Sequence, residues 1–264
     1  MRRPRPCEAS SSPLLLRSRD LVWDGCLNVR DLGGHPTEDG AETRFGSIIR
    51  ADSVGNLTPA GWEALVEYGI RTVIDLRGDH ERADDPPGEL PVEVRHVPFL
   101  EASEPEWEVI AAELERLDEL PVPEATRDAY VIFLERFKPN VGAAFRAVAE
   151  APEGGVVVHC VGGKDRTGLL TALLLHAAGV PTEEIAADYA RSEERLRPRH
   201  DAWLEAAETE AERKRLERIT HTPPQAITGL FEDLRRRYGS VEGYLRSAGV
   251  GEHDLELARA RLRD

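Results

Sequence analysis

The sequence predicts a single α/β domain with a helical C-terminal part, and three observations carry that reading. Short β-branched runs alternate with amphipathic helical stretches through the first 180 residues. The run GGVVVHC (154–160) is continuously apolar, as a strand buried on both faces requires. Beyond residue 183 the pattern turns helical, with no internal repeat and no linker that would mark a second domain.

Each element has a local reason. LVWDGCLNVRDLGG reads as a β-rich entry closed by a Gly33-Gly34 turn, and FGSIIRAD (45–52) as a strand. Thr58-Pro59 supplies a cap oxygen and a proline at the first helical position. Leu65, Val66 and Ile70 continue that helix toward a stop near Gly69. TVIDLR (72–77) and VEVRHVPF (92–99) follow as strands. Residues 104–120 and 125–149 have helical periodicity, interrupted by PVP (121–123) and by Pro139. TGLLTALLLHAAGVP (167–181) reads as a helix apolar nearly all round, ended by Gly179 and Pro181. Charged helices fill 183–218, and two or three more fill 225–262.

Composition narrows the function. With 264 residues and a formal charge of −15, the chain is long enough for a sizeable core and too acidic for nucleic acid as a default partner. No apolar run approaches the roughly 20 residues of a membrane span. The start, MRRPRPCEASSSPLLLRSRD, is basic but lacks the apolar centre of a signal peptide. Residues 1–20 read as a mostly disordered tail, and 21–264 as the folded domain. Three cysteines, Cys7, Cys26 and Cys160, make no disulfide framework and suit a reducing cytoplasm, with export by a signal-less route as the alternative. No HxH or HExxH spacing occurs among the eight histidines, so neither a catalytic metal nor another cofactor is expected.

The chemistry points to HCVGGKDRTG (159–168), where a cysteine ends a buried strand and an arginine opens a helix. The first N–H groups of a helix lack intrahelical partners, and a glycine-containing loop aims further N–H groups into the same hollow. Gly162 and Gly163 let the backbone turn inward without a Cβ in the way. Arg166 can fork around a phosphoryl group. Such a positive environment lowers a cysteine pKa to roughly 3.5–7.5 and makes Cys160 a candidate nucleophile. With 31 arginines in the chain, the six-residue spacing alone is weak, arising by chance about a third of the time. The strand before it, the paired glycines and the helix start after it supply the specificity.

HCVGGKDRTG resembles the active-site loop of the Cys-dependent protein tyrosine phosphatases. Within them it resembles the bacterial and fungal tyrosine/serine phosphatase family, whose loop reads HC-x-x-GKDRTG. NVRDLGG (28–34), IIRAD (48–52), LTPAGWEAL (57–65), TVIDLRGDHE (72–81) and YGSVEGYLRSAGV (238–250) resemble further segments of that family, in order. Gly162 departs from the alanine of many relatives, a change that a loop lined by backbone N–H groups should tolerate. The resemblance implies a central sheet of four to five strands flanked by helices. It also implies hydrolysis of phosphotyrosine, and of phosphoserine or phosphothreonine as an extension, through a phosphocysteine.

In that scheme Cys160 is the nucleophile and Arg166 the clamp, with residues 161–165 lending N–H groups and Thr167 its hydroxyl near the departing sulfur. Asp165 is the general acid, with Asp128 as runner-up. His159 reads as an orienter of the cysteine. Arg30, Asp31, Asp75 and Arg77 read as framework anchors. Lys164 is either solvated or suited to a multiply phosphorylated head group. The 183–218 stretch reads as a solvated face, with a helical lid as the alternative. The expected partner is a phosphotyrosine protein or a small phosphomonoester. The alternatives are a phosphoinositide substrate and a non-enzymatic phosphate-binding adaptor.

Overall fold

The β-branched run at 155–159 lies in the middle of a sheet, as its composition predicts. The computed structural model describes residues 18–83 and 91–263. Its strands are β1 (Arg30–Asp31), β2 (Ile48–Ala51), β3 (Ile70–Asp75), β4 (Glu93–His96) and β5 (Gly155–His159). The sheet order is β1-β2-β5-β3-β4, with β1 antiparallel and the rest parallel. Ala51 and Asp75 both pair with His159, so β2, β5 and β3 end on one rung. The loops leaving these three strands therefore converge, and such carboxyl-end crevices are where open parallel sheets bind ligands.

The first five helices are α1 (Pro59–Glu67), α2 (Asp79–Ala83), α3 (Glu104–Glu115), α4 (Val122–Arg136) and α5 (Lys138–Ala149). Then come α6 (Asp165–Ala177), α7 (Thr182–Ala206), α8 (Glu210–Thr220), α9 (Pro224–Tyr238), α10 (Val241–Ser247) and α11 (Glu252–Arg263). Thr58 caps α1 by accepting from Gly61 N at 3.2 Å, with Pro59 in the first turn. Pro123 and Pro139 likewise occupy first turns, so PVP opens α4 rather than breaking a longer helix. None of the described helices is long and apolar enough to cross a membrane.

The two faces of β5 feed different halves of the core. Val156 and Val158 join the larger cluster with Leu170, Leu174, Phe145 and Phe231, while Val157 joins Trp23, Ile49, Leu65 and Val73. This is the alternation a strand imposes. α6 buries ten of its thirteen residues, which is why its sequence is apolar nearly all round.

Two expectations meet a different outcome. The tail expected at 1–20 lies outside the described residues up to 17, but Asp20 is tied into the fold, bridging Arg30 and accepting from Arg191 and Arg195 at 2.6 and 3.0 Å. The 183–218 stretch is not simply a solvated face. Ile185, Asp188, Tyr189, Ser192, Leu196 and His200 of α7 are buried.

Candidate active site

Cys160 follows the last residue of β5, and Asp165 opens α6, so residues 160–165 turn over the end of the central strand. Gly163 has φ +64°, and a Cβ there would lie 2.2 Å from the Ala51 carbonyl oxygen. Only glycine lets the loop cross β2 so closely. Around Gly162 the nearest atom to such a Cβ is Leu196 Cδ1, 3.8 Å away, so alanine fits there as expected.

The scaffold pins the loop by its carbonyls. Ser53 N donates to Val161 O at 3.0 Å. Asn28 Nδ2 donates to Gly162 O and Gly163 O at 3.0 and 3.1 Å, and Arg50 Nη2 donates to Gly163 O at 2.7 Å. Within the first turn of α6, Gly168 N donates to Lys164 O at 3.0 Å. A trans peptide plane points its N–H opposite to its carbonyl. With the carbonyls of 161–163 tied to the scaffold, the opposite, N–H sides of those peptide planes are left out of these bonds.

Behind those pins lies a buried charge cluster. Asp188 of α7 accepts from Arg30 Nε at 2.9 Å and from Arg50 Nη1 at 2.8 Å. Arg30 Nη1 also holds Asn28 Oδ1 at 2.6 Å, and Ser192 Oγ accepts from Arg30 Nη2 at 3.0 Å. Burial alone would raise Asp188, but the two guanidinium groups hold its carboxyl far below the usual range. Burial and the neighbouring Arg50 push Arg30 down, against the pull of Asp188. Asp52 accepts from Asn28 N at 2.9 Å and from Arg199 Nη2 at 2.5 Å. Asp75 chelates Arg77 through its Nε and Nη2, both at 3.0 Å. Arg30, Asp75 and Arg77 therefore sit in the framework. Asp31 does so too, capping Gly33 N and Gly46 N, each at 2.7 Å.

Cys160 is buried at the pocket floor, and His159 Nδ1 lies 3.1 Å from its carbonyl oxygen. Burial lowers the His159 pKa, although Asp75 pulls the other way. The imidazole thus contacts the cysteine's backbone through its Nδ1 side. Thr167 is fully buried, and its hydroxyl has no hydrogen-bond partner among the described residues. Arg166 is gripped by Glu81 of α2: Nη2 donates to Oε1 at 2.7 Å and Nη1 to Oε2. That pairing uses the Nη end of the guanidinium and leaves its Nε out of it.

Asp165 accepts from the Tyr130 hydroxyl at 2.6 Å and lies 3.1 Å from Lys164 Nζ. Lys164 Nζ in turn donates to Ile219 O of α8 at 2.7 Å, so it is engaged between loop and helix rather than merely solvated. Asp128 is bonded to Arg127 at 2.7 Å and, unlike Asp165, does not line the pocket. Cys26 donates to Ser53 O at 3.3 Å, and burial and Asp52 push its thiol well up.

The loop floors a cavity of about 860 Å³. Trp107 of α3, Phe133 of α4, Trp203 of α7 and Ile219 of α8 contribute apolar walls, and Arg199, Arg215 and Arg218 add cations. α7 and α8 thus form a side of the pocket, the position the lid alternative anticipates. Sequence reasoning missed Tyr130, Tyr189 and Asp188. It noted Asn28, Arg50 and Glu81 only as parts of motifs, without their contacts to the loop carbonyls and to Arg166.

A cysteine over a backbone anion nest, faced by a held arginine, is the apparatus of a thiol-based phosphoryl-transfer enzyme. Residues 21–264 match the tyrosine phosphatase family, and the chain belongs to it. It is 30% identical over 236 residues to a tyrosine-protein phosphatase of Nostoc commune, covering 82% of this chain and 74% of that protein. It is 27% identical over 271 residues to the triple specificity protein phosphatase PtpB of Mycobacterium tuberculosis, covering 90% of this chain and 97% of that one.

Proposed function

We propose that this protein hydrolyses phosphotyrosine, and phosphoserine and phosphothreonine more slowly, through a phosphocysteine at Cys160. The observation that supports the reading is the set of loop carbonyls tied to the scaffold, an arrangement suited to presenting the loop N–H groups as a preformed anion site beside Cys160. Preorganised donors of this kind stabilise charge as it develops on the equatorial oxygens, at no cost in reorganisation.

The sulfur attacks phosphorus while Arg166 and the nest hold three oxygens. The P–O ester bond breaks, and Asp165 gives its proton to the leaving oxygen. Water then attacks phosphorus and gives a proton to the Asp165 carboxylate, while the S–P bond breaks and its electron pair returns to Cys160. Asp165 is chosen over Asp128 because it alone of the two lines the cavity. The cavity exceeds a single phosphorylated ring, so phosphoinositides belong in the substrate panel; the name of the mycobacterial relative points the same way for breadth of specificity.

The test is the Cys160→Ser variant against phosphotyrosyl, phosphoseryl and phosphothreonyl peptides, a phosphoinositide and p-nitrophenyl phosphate. Turnover should vanish while binding of the phosphotyrosyl peptide persists, because nest and arginine remain. The wild type should be unaffected by EDTA. Full activity in Cys160→Ser overturns the mechanism. Binding without turnover in the wild type supports the adaptor reading instead.

A further inference from the structure

Helix α4 delivers one hydroxyl to the phosphate loop, and it reaches the carboxyl group of Asp165. Tyr130 is 2% exposed, and its hydroxyl is 2.6 Å from Asp165 Oδ1 and 2.8 Å from the hydroxyl of Tyr189 on α7. The two rings meet edge to face with centroids 6.0 Å apart, so neither phenol swings without repacking its neighbours. An ionised carboxylate only accepts, so the single proton of Tyr130 points to Oδ1, and Tyr189 must donate to Tyr130. Lys164 Nζ lies 3.1 Å from the same Oδ1. Among the described residues, the hydrogen bonds and ion pairs of the Asp165 carboxyl all converge on that oxygen.

We propose that Tyr130, backed by Tyr189, is the positioning residue of the general acid: it occupies Oδ1 and thereby places the transferable proton on Oδ2. The proposal rests on the reading of Asp165 as acid. An oxygen already facing two donors is a poor seat for a proton, so Oδ2 carries it. In the first step the Oδ2 proton passes to the ester oxygen as the P–O bond breaks and the S–P bond forms. The carboxylate left behind is stabilised at Oδ1 by Tyr130 and Lys164. In the second step Oδ2 takes a proton from the attacking water as the S–P bond breaks.

The groups facing Asp165 are Lys164 and Arg166 from the loop, Tyr130 from α4, and Tyr189 and His200 from α7. Burial raises the carboxyl, but the Lys164 charge, the Tyr130 and Lys164 hydrogen bonds and Arg166 together hold it below its usual range. A phosphoryl dianion in the nest opposes those cations and favours the protonated form needed for the first step. Losing the Tyr130 hydroxyl makes a weaker acid. The first step needs the acid protonated and fails as pH rises through its pKa, so a weaker acid moves that limb to higher pH.

The experiment is burst-phase kinetics of Tyr130→Phe, Asp165→Asn and the double variant, across pH, with a phosphotyrosyl peptide and p-nitrophenyl phosphate. For Tyr130→Phe the basic limb should rise by about half to one pH unit. Its plateau should fall about tenfold with phosphotyrosine and less than about threefold with the nitrophenyl ester. The double variant should be no more than about twofold slower than Asp165→Asn, since one function is lost only once. Tyr189→Phe should move the limb the same way by less. If Asp165→Asn is selective for the poor leaving group while Tyr130→Phe leaves the limb in place, or if the two losses multiply, Tyr130 is a packing residue and the proposal is wrong. If Asp165→Asn slows both substrates equally, the acid reading itself is wrong and the proposal falls with it.

Discussion

Alanine at 163 and alanine at 162 add the same methyl group to adjacent residues of one loop, and the fold assigns them opposite outcomes. At Gly163 the added Cβ would sit 2.2 Å from Ala51 O, 2.5 Å from Ala51 C and 2.7 Å from Asp52 N. All three are backbone atoms at the end of β2, which is held on one side by β5. They cannot rotate aside. The φ of +64° costs a non-glycine residue roughly 1–2 kcal/mol, and relieving the overlap roughly 1–3 kcal/mol more. A contact at 2.2 Å becomes tolerable only after the loop moves outward by about 1 Å, which carries the amides of 163 and 164 off the phosphate. Loss of one such donor costs about 10²–10³ in turnover. Gly163→Ala should therefore lower kcat/KM for p-nitrophenyl phosphate at least about 100-fold, with a Tm lower by roughly 4–15 °C. Gly162→Ala, with 3.8 Å of clearance, should stay within about twofold in rate and about 0.5 kcal/mol in stability. The assay is steady-state kinetics with vanadate inhibition, beside thermal unfolding. Wild-type vanadate affinity in Gly163→Ala, or equal damage at both positions, would refute the claim that the loop is pinned against β2.

Asp188→Asn strips the shared carboxylate from two buried arginines and should cost about 3–5 kcal/mol, read as a shift of the urea midpoint. Glu81→Gln removes the charged end-grip on Arg166 and should reduce kcat/KM about tenfold with little change in Tm, measured with a phosphotyrosyl peptide. His35 is buried and held down to about 4, chiefly by burial, with Asp188 pulling upward and Arg19 and Arg30 adding to the depression. The unfolded chain takes that proton near 6.5 and the native state only near 4, so stability is full above pH 6.5 and falls by about 3 kcal/mol as pH drops to 4. Denaturation of His35→Gln at pH 7.5 and 4.5 should show a correspondingly smaller loss.

The elements that sequence reasoning recovers are those whose cause is local. Val156, Val157 and Val158 announce a central strand by composition, and Gly163 announces a turn by lacking a side chain. Cys160 and Arg166 are six residues apart, so a single loop reveals their partnership. Glu81 is 85 residues from Arg166 and sits in a five-residue helix within DHERA, too short and too polar to show any period. α7 hides its buried face for a related reason. Its inward positions 185, 189, 192, 196 and 200 keep helical spacing, but Ser192 and His200 fill two of them and Asp188 flanks a third. A polar residue on an inward stripe reads as solvent-facing until its partner is known, and the partners of Asp188 lie on β1 and β2.

Those partners also explain why such a stripe exists. Replacing a buried ion pair by apolar side chains is often neutral or stabilising, so an Arg-Asp-Arg cluster is not an efficient way to hold a helix to a sheet. Its value lies in direction. Arg50 reaches Gly163 O with the Nη that Asp188 does not use, and Arg30 steers Asn28 onto Gly162 O and Gly163 O. Two guanidinium groups against one carboxylate leave a net positive charge behind the loop. The same helix that supplies Asp188 carries Leu196, Arg199, His200 and Trp203 along the cavity wall. Through Asp188, Arg30 and Arg50, one helix thus bears on both the hydrogen bonds that hold the loop carbonyls and the wall of the cavity above them.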